Sequence, residues 1–313
     1  MDSTDITPVF ILSLPRSGST LLQKILATHE NISTSSEGWV LIPNLYALKS
    51  NGIIAEYRHQ ALNSGYRNLF HHLPDGKNGY YSAVNNFSHG IYKEICDKND
   101  DFFVDKTPRY HLICDHIAKT FPNAKYIVLW RNPLSVVCSM IKTFSNNEWA
   151  VPGFYVDLYN GTENLKTILD NCKIDSVDIR YEDIILETEK VVKQLSNFLG
   201  IKPNSLAISE YETVSLEGDN DNISGINKYD KLSTEPVFKW KKFINNPLRK
   251  LWCKKYVKWL GPERLNDMGY NHDNLLEKLN EVQISSKGLL TDSVYFAKSY
   301  MGYKLRHSLF IND

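Results

Sequence analysis

The sequence has few cysteines, no surplus of charge of either sign and no long apolar run. The five cysteines, at positions 96, 114, 138, 172 and 253, are widely spaced and form no CxxC pair. This pattern argues against a disulfide framework or a zinc site and predicts reduced thiols in a cytoplasmic protein. Lys and Arg together number 36, as do Asp and Glu, so the formal net charge is zero. A zero balance argues against a nucleic-acid partner, although it permits a local anion pocket.

Apolar segments are short throughout the chain. The run Val9–Leu14 ends at Pro15 and has no basic residues before it, so it resembles neither a signal peptide nor a membrane anchor. No later run approaches the roughly 18 apolar residues that a membrane-spanning helix requires. We therefore expect a soluble cytoplasmic protein without a membrane partner. Its 313 residues are enough for one large domain or two small ones.

The apolar runs alternate with helical periodicity. Four runs rich in β-branched and aromatic residues predict strands buried on both faces of a sheet: Val9–Leu14, Phe102–Val104, Tyr126–Trp130 and Val177–Ile179. Helical spacing follows each run, over Ser19–Thr28, Arg109–Thr120, Leu134–Thr143 and Asp183–Leu199. This alternation predicts a three-layer α/β/α fold around a central, mainly parallel sheet.

Two segments interrupt the alternation and one follows it. Residues 39–100 form a predicted helical insertion, and residues 144–172 a smaller one rich in aromatics. Long segments between strands of α/β enzymes usually build the substrate side of the site, although both could simply cover the sheet. We predict a single domain over residues 1–283 and a C-terminal extension over residues 284–313, which packs on the body or on a second subunit. The sequence does not indicate the oligomeric state.

The segment from Pro8 to Leu22 predicts a phosphate-binding loop. A buried strand enters a tight loop of small residues, SGST at 17–20, that opens a helix. Such a loop turns backbone N–H groups and the helix dipole toward an anion. Aligned with the triphosphate loop GxxxxGK[ST], the chain has Ser13 in place of the first Gly and Ser19 in place of the Lys, and its cation has moved to Arg16. An ordinary Ser/Gly-rich turn has the same short pattern.

A second feature argues against a nucleoside triphosphate with its metal. The strand Tyr126–Trp130 ends in Arg131, where an Mg²⁺-binding Asp would be expected. The sequence thus predicts a phosphate site with no metal.

These residues resemble the PAPS-dependent sulfotransferases, which use 3′-phosphoadenosine 5′-phosphosulfate and have a fold like that of the P-loop NTPases. LPRSGST at 14–20 resembles their 5′-phosphosulfate loop, and an Arg with a Ser eight residues later resembles their 3′-phosphate motif. The resemblance implies that the 5′-phosphosulfate is bound by Arg16, Ser17, Gly18, Ser19 and Thr20. It implies that the 3′-phosphate is bound by Arg131 and Ser139.

Two further segments resemble family features over a total span of about residues 8–270. Tyr181 begins a Tyr-Glu-Asp step after the strand Val177–Ile179, and the resemblance implies that it contacts the nucleotide. The segment NISGINK resembles a late loop that folds over the nucleotide, with Ser224, Gly225 and Lys228 as implied ligands. Ile226 interrupts the Gly-Asn-Pro step that is usual in this loop.

The resemblance also implies the catalytic residues. Glu37 lies just past the first crossover helix, where a further strand should end. It matches the general base of the tyrosylprotein and some bacterial types, although a solvated carboxylate is the alternative. Lys106, in a Lys-x-Pro step, matches the Lys that stabilises the transferring sulfuryl group, and Arg16 supplies a second cation. Arg109 either faces an acceptor or opens the next helix. His111 and His116 are five residues apart, hence on different helix faces, and are expected to pack.

We therefore predict a sulfotransferase that moves a sulfuryl group from PAPS to a hydroxyl or amine of a small-molecule acceptor, with Glu37 as base. Two other functions stay open. A nucleotide kinase would require the Walker Lys and the Mg²⁺ carboxylate, which the aligned positions lack. A non-catalytic nucleotide-binding protein would be expected to lose Glu37 or Lys106, and the chain has both. The acceptor could also be a sugar or a peptide.

Overall fold

The computed structural model describes residues 6–49, 59–97, 99–204, 207–214, 216 and 235–309. These residues form a five-stranded parallel sheet in the order β2-β3-β1-β4-β5. The strands are β1 Thr7–Ser13, β2 Ile32–Thr34, β3 Phe102–Asp105, β4 Lys125–Trp130 and β5 Asp175–Arg180. Because all five strands are parallel, their carboxyl ends lie at one edge of the sheet, where α/β proteins bind ligands.

The central strand β1 is buried on both faces. Val9 and Ile11 pack in the core on one face of the sheet, and Phe10 and Leu12 pack in the core on the other. Since successive side chains of a strand point to opposite faces, a strand covered by helices on both sides must be apolar at every position. The predicted three-layer α/β/α sulfotransferase-like fold is confirmed.

Helices cover both faces of the sheet. Those that precede β5 are α1 Ser19–Leu26, α2 Leu41–Tyr46, α3 His59–Phe70, α4 Gly76–Ile95, α5 Cys114–Thr120, α6 Pro133–Phe144 and α7 Thr162–Asn171. The later ones are α8 Tyr181–Leu186, α9 Thr188–Leu199, α10 Ala207–Glu210, α11 Glu235–Phe243, α12 Pro247–Asp267, α13 His272–Glu281 and α14 Leu289–Leu309. Helix α12 has a break at Gly261. None of the helices in the described ranges is long and apolar enough to cross a membrane.

Two helices predicted as continuous are interrupted. In place of one helix over Arg109–Thr120, a 3₁₀ turn at Tyr110–Leu112 precedes α5, and Ile113 between them has a non-helical φ of −132°. The predicted helix over Asp183–Leu199 divides into α8 and α9. At that break the Thr188 hydroxyl donates to the Ile184 carbonyl at 2.7 Å, the acceptor that a continuous helix would offer to the backbone N–H of Thr188.

Two helices, α4 in the 39–100 insertion and the C-terminal α14, are held on the body by specific contacts. In the 39–100 insertion, Tyr92 of α4 stacks on Phe103 of β3 with ring centroids 4.4 Å apart. The C-terminal helix α14 is held by a buried ion pair in which Arg249 donates to both carboxylate oxygens of Asp292, at 2.6 and 2.8 Å. The separate C-terminal extension that the sequence predicts therefore packs on the body through a paired charge. The proposed boundary at residue 283 stays a prediction.

Candidate active site

The loop after β1 has a backbone that only certain residues tolerate. Arg16 has a φ of 68° and Gly18 a φ of 96°, both in the left-handed region. A Cβ at Gly18 would lie 2.3 Å from Cδ2 of Tyr181, so the position requires glycine for space as well as for φ. Non-glycine residues with positive φ concentrate at functional sites, and Arg16 is one. The packing of the Tyr181 ring on Gly18 joins the end of β5 to the loop after β1.

The loop after β1 closes a turn and runs directly into α1. Gly18 is the N-cap of α1, so Ser19 and Thr20 begin the helix, where backbone N–H groups have no acceptor within the helix. The N–H of Ser17 instead donates to the carbonyl of Leu14 at 3.2 Å and closes a turn. The N–H of Ser17 therefore shapes the loop. Anion binding by Ser17, Gly18, Ser19 and Thr20 stays a prediction.

The predicted 3′-phosphate residues meet at Arg16. The Arg131 guanidinium donates to the backbone carbonyl of Arg16 at 2.8 Å, and Nε of Arg16 lies 3.4 Å from the Ser139 hydroxyl. Arg131 is 8% exposed and lies over the ring of Tyr181, 4.2 Å from its centroid. A cation held flat on an aromatic ring loses little mobility when it binds an anion. Arg16, Arg131, Ser139 and Tyr181 thus form one contiguous group.

The predicted catalytic pair is in direct contact. The ammonium of Lys106 donates to Oε1 of Glu37 at 2.7 Å, and its Nζ lies 3.5 Å from the Thr20 hydroxyl. The side chains of Lys106 and Glu37 are 2% and 13% exposed. Burial of a charged pair is costly unless both charges are matched, so this arrangement constrains both groups. A cation and a carboxylate are therefore presented together at the start of α1.

A buried carboxylate fixes the strand end beneath Lys106. Asp105 accepts hydrogen bonds from the hydroxyls of Tyr92 at 2.6 Å and Tyr110 at 2.8 Å. Burial raises the pKa of Asp105, while the two tyrosine hydroxyls and the Lys106 charge oppose that rise. The same burial raises the pKa of both tyrosines. Because Asp105 precedes Lys106, this network orients the turn that carries the Lys.

The strand end that carries Arg131 is held in a similar way. Asn132 caps α6 by accepting from the N–H groups of Leu134 and Ser135, and Pro133 occupies the first helical turn as predicted. The Asn132 N–H donates to Glu182 at 3.1 Å. In the Tyr-Glu-Asp step, Glu182 therefore supports the Arg131 turn.

A further group that the sequence did not reveal surrounds Arg109. Asp157, buried in a π-helical turn at Val156–Gly161, accepts from Arg109 at 3.0 Å and from Nε2 of His111 at 3.0 Å. The π-helical geometry, which places Asp157 there, has no sequence signature and often marks functional sites. His111 is fully buried, and His116 is buried against the Tyr81 hydroxyl at 2.7 Å. Both histidines pack, as expected.

The 144–172 segment contributes an aromatic residue to the packing of the body. Trp149 is fully buried and packs edge-on against Trp252, with ring centroids 5.8 Å apart. It belongs to the core.

Ser224, Gly225 and Lys228 lie outside the described residues. Within the described ranges, no group of three or more His, Cys, Asp or Glu is arranged to hold a metal ion; the metal-free site stays a prediction.

All five strand ends contribute residues to this candidate site, and comparisons with known proteins show the family of the chain. A model described as the sulfotransferase family matches residues 8–204. The chain belongs to the sulfotransferase family. The match runs from β1 to just beyond α9, so it includes every described residue named above for the anion site and the Glu37–Lys106 pair.

Two individual relatives of this chain have different names. The chain is 30% identical over 155 residues to the nodulation protein NoeE of Sinorhizobium fredii, covering 48% of this chain and 34% of that protein. It is 24% identical over 226 residues to protein-tyrosine sulfotransferase 1 of Danio rerio, covering 68% of this chain and 59% of that one. The chain thus spans about a third and about three-fifths of these relatives' lengths.

A solved structure has the same fold. The sulfotransferase domain from the curacin biosynthetic pathway superposes with a TM-score of 0.56 at 20% identity, over 82% of this chain and 97% of that domain. At this identity the likeness establishes the fold alone.

Proposed function

We propose that this sulfotransferase transfers a sulfuryl group from PAPS to a hydroxyl or amine of a small acceptor, with Glu37 as general base. The observation that carries the proposal is the 2.7 Å contact between Glu37 and Lys106 beside Thr20 of the phosphate-type loop. It supports an arrangement in which one group accepts a proton while its neighbour stabilises developing negative charge.

The residues suit an anionic nucleotide. Three cations lie at the strand ends, near the start of α1: Arg16, Arg131 and Lys106. The nearby carboxylate of Glu37 is already paired with Lys106. Arg16 and Lys106 would bind the 5′-phosphosulfate with Ser19 and Thr20. Arg131, together with Ser139, would bind the 3′-phosphate. We propose the same nucleotide role for Tyr181, through its ring.

Each residue then has one role in the reaction. PAPS, when bound, supplies a sulfuryl group whose bond to the 5′-phosphate breaks as the acceptor oxygen or nitrogen attacks the sulfur. Glu37 takes the proton that leaves the acceptor. Lys106 and Arg16 stabilise negative charge on the transferring group and on the phosphate that departs. The hydrogen bond from Lys106 holds the carboxylate of Glu37 in place before the acceptor arrives.

The size of the acceptor is the second part of the proposal. We favour a small molecule in the cytoplasm; a tyrosine-containing peptide is the alternative, because several relatives are protein-tyrosine sulfotransferases. An acceptor panel with labelled PAPS, containing phenols, sugars and tyrosine peptides, separates the two. Transfer to peptides alone would overturn the small-molecule part.

The decisive experiment is calorimetric titration with 3′-phosphoadenosine 5′-phosphate, with and without Mg²⁺, compared with ATP–Mg²⁺. Metal-independent binding of the bisphosphate, tighter than that of ATP–Mg²⁺, supports the sulfotransferase reaction. A preference for ATP–Mg²⁺ would favour the kinase function and overturn the proposal.

A further inference from the structure

A cavity of about 690 Å³ is lined by residues that lie close in the sequence to each member of the Glu37–Lys106 pair. Trp39, two residues after Glu37, and Arg109, three residues after Lys106, both line it. Its other walls come from α2 and α3, from the turn around Gly153 and Val156, and from the C-terminal helix α14. The volume lies within the range of pockets that enclose small organic ligands.

The charge on the cavity wall has one sign. Arg109 and Arg306 line it, and no Asp or Glu is among its described lining residues. Arg109 is anchored from outside the cavity by Asp157, and its side chain remains 42% exposed. Burial raises the pKa of Tyr46 on the same wall, and the Arg109 charge opposes that rise. Arg109 is paired with Asp157, and Arg306 has no carboxylate among the described residues of the cavity wall, so the wall favours an anion.

The rest of the wall is largely apolar and aromatic. Trp39 remains 37% exposed and has a φ of 52°, an uncommon backbone for a bulky residue. Tyr46 and Tyr303 add two further rings. His59 is 4% exposed; its Nε2 lies 3.1 Å from the carbonyl of Lys49, and its Nδ1 has no partner within the described residues. A buried polar atom of this kind on a cavity wall indicates a place for a ligand's polar group.

The wall from α14 is fixed in place and lies beyond the part of the chain that the family model matches. Ser299 bridges α14 to the preceding body: its hydroxyl accepts from the Gly153 N–H and donates to the Ala150 carbonyl, each at 2.9 Å. Together with the buried Arg249–Asp292 pair, this contact holds Tyr303 and Arg306 over the cavity. The residues that complete the cavity thus come from outside residues 8–204.

We infer that this cavity binds the acceptor of the proposed reaction, and that the acceptor is a small molecule with an aromatic or apolar body and an anionic substituent. Arg109 and Arg306 bind the anionic substituent. The rings of the wall bind the body, with the acceptor's hydroxyl or amine directed toward Glu37. The identification of the ligand as the acceptor rests on the proposed function. The chemical class of the ligand rests on the cavity alone.

The test uses two fluorescent probes with the same aromatic frame. One is 8-anilinonaphthalene-1-sulfonate, which is anionic, and the other is N-phenyl-1-naphthylamine, which is neutral. Dissociation constants are measured for the full chain and for Arg109→Gln, Arg306→Gln and the double variant. Lys304→Gln is the matched control, because Lys304 is an exposed cation of the same helix that does not line the cavity.

We expect the double variant to bind the anionic probe about tenfold more weakly, the scale of a lost charged hydrogen bond, with the neutral probe unchanged. Lys304→Gln should change neither constant. Equal losses in Lys304→Gln, or unchanged anionic-probe affinity in both Arg306→Gln and the double variant, would overturn the inference. Arg306→Gln alone keeps the test valid if replacing Arg109 disturbs the buried Asp157.

Two controls separate this inference from the proposed function. The anionic probe should remain bound when 3′-phosphoadenosine 5′-phosphate is added; its displacement would put the probe at the nucleotide site and overturn the cavity assignment. Failure of the bisphosphate to bind would contradict the proposed function and leave the probe preference intact. In the acceptor panel, higher kcat/KM for hydroxyaryl carboxylates than for their amides supports the inference, and the reverse order contradicts it.

Discussion

Glu37 and Lys106 are 69 positions apart in the chain and 2.7 Å apart in the fold, with the Lys side chain almost fully buried. They follow β2 and β3, which are adjacent parallel strands, so their meeting is a direct result of strand order. The pair presents a carboxylate and an ammonium group together near the start of α1. Four predictions follow from this site and its surroundings.

Glu37→Gln should lower turnover about 10²–10⁴-fold, because the amide keeps the shape of the side chain and cannot accept a proton. The affinity for 3′-phosphoadenosine 5′-phosphate should remain close to that of the unmodified chain. Glu30→Gln, at an exposed position on the same crossover, is the control for charge. Steady-state rates and calorimetry give both quantities, and retained turnover would exclude Glu37 as the base.

Arg131→Ala should weaken bisphosphate binding by a few kcal/mol, because it removes the cation held over Tyr181. The variant should bind 3′-phosphoadenosine 5′-phosphate and adenosine 5′-phosphate with equal affinity. Arg131→Lys, which keeps the charge and loses the planar stacking, should be intermediate. If Arg131→Ala keeps the preference for the 3′-phosphorylated nucleotide, the 3′-phosphate lies elsewhere.

Gly18→Ala should abolish bisphosphate binding and lower the melting temperature, because its Cβ would lie 2.3 Å from the Tyr181 ring. Gly200→Ala is the matched control: it has a φ of 75° and nothing within 4 Å of the added carbon. The control should cost only the left-handed backbone penalty, about 1–2 kcal/mol. Equal losses of stability in the two variants would show that the contact with Tyr181 has no effect.

Acid should destabilise the fold through His116. Burial lowers the pKa of His116 to about 4, below its ordinary value of 6.5. The unfolded chain therefore binds this proton first, so the free energy of unfolding should fall as the pH drops from about 6.5 to about 4. The loss reaches at most about 3 kcal/mol.

Urea titrations between pH 4 and pH 7 test this by comparing the unmodified chain with His116→Gln. The difference between their free energies of unfolding should depend on pH only within that window. A difference that is constant with pH would mean that His116 has the same pKa in the folded and unfolded states.

The fold was predictable from the sequence because its central strands are buried on both faces. The pattern Val9–Leu14 must be apolar throughout when helices cover both sides of a parallel sheet, and the observed β1 has this environment. The two helix interruptions were not predictable. They depend on which group donates a hydrogen bond to the carbonyl of Ile184 and on the backbone conformation at Ile113. The periodicity of side chains does not predict either.

For the site, the local motifs were enough to select Arg16, Gly18 and Arg131, since each is next to a strand end. Parallel strands bring such ends to one edge regardless of their distance along the chain. The sequence could not predict which groups these residues contact. It did not show that Arg131 donates to the Arg16 carbonyl, or that the Tyr181 ring requires glycine at position 18. Those relations depend on strand order and on side-chain direction.

The sequence by itself thus determined the fold class, the glycine-containing loop after β1 and the residues at each strand end, because these depend on local patterns of burial and backbone freedom. Only the tertiary structure decided that Glu37 pairs with Lys106, that a buried Asp157 anchors Arg109, and that α14 brings Arg306 to the cavity. Each is a contact between segments distant in the chain. The packing of whole helices and strands determines such contacts, and the spacing of residues along the chain does not predict them.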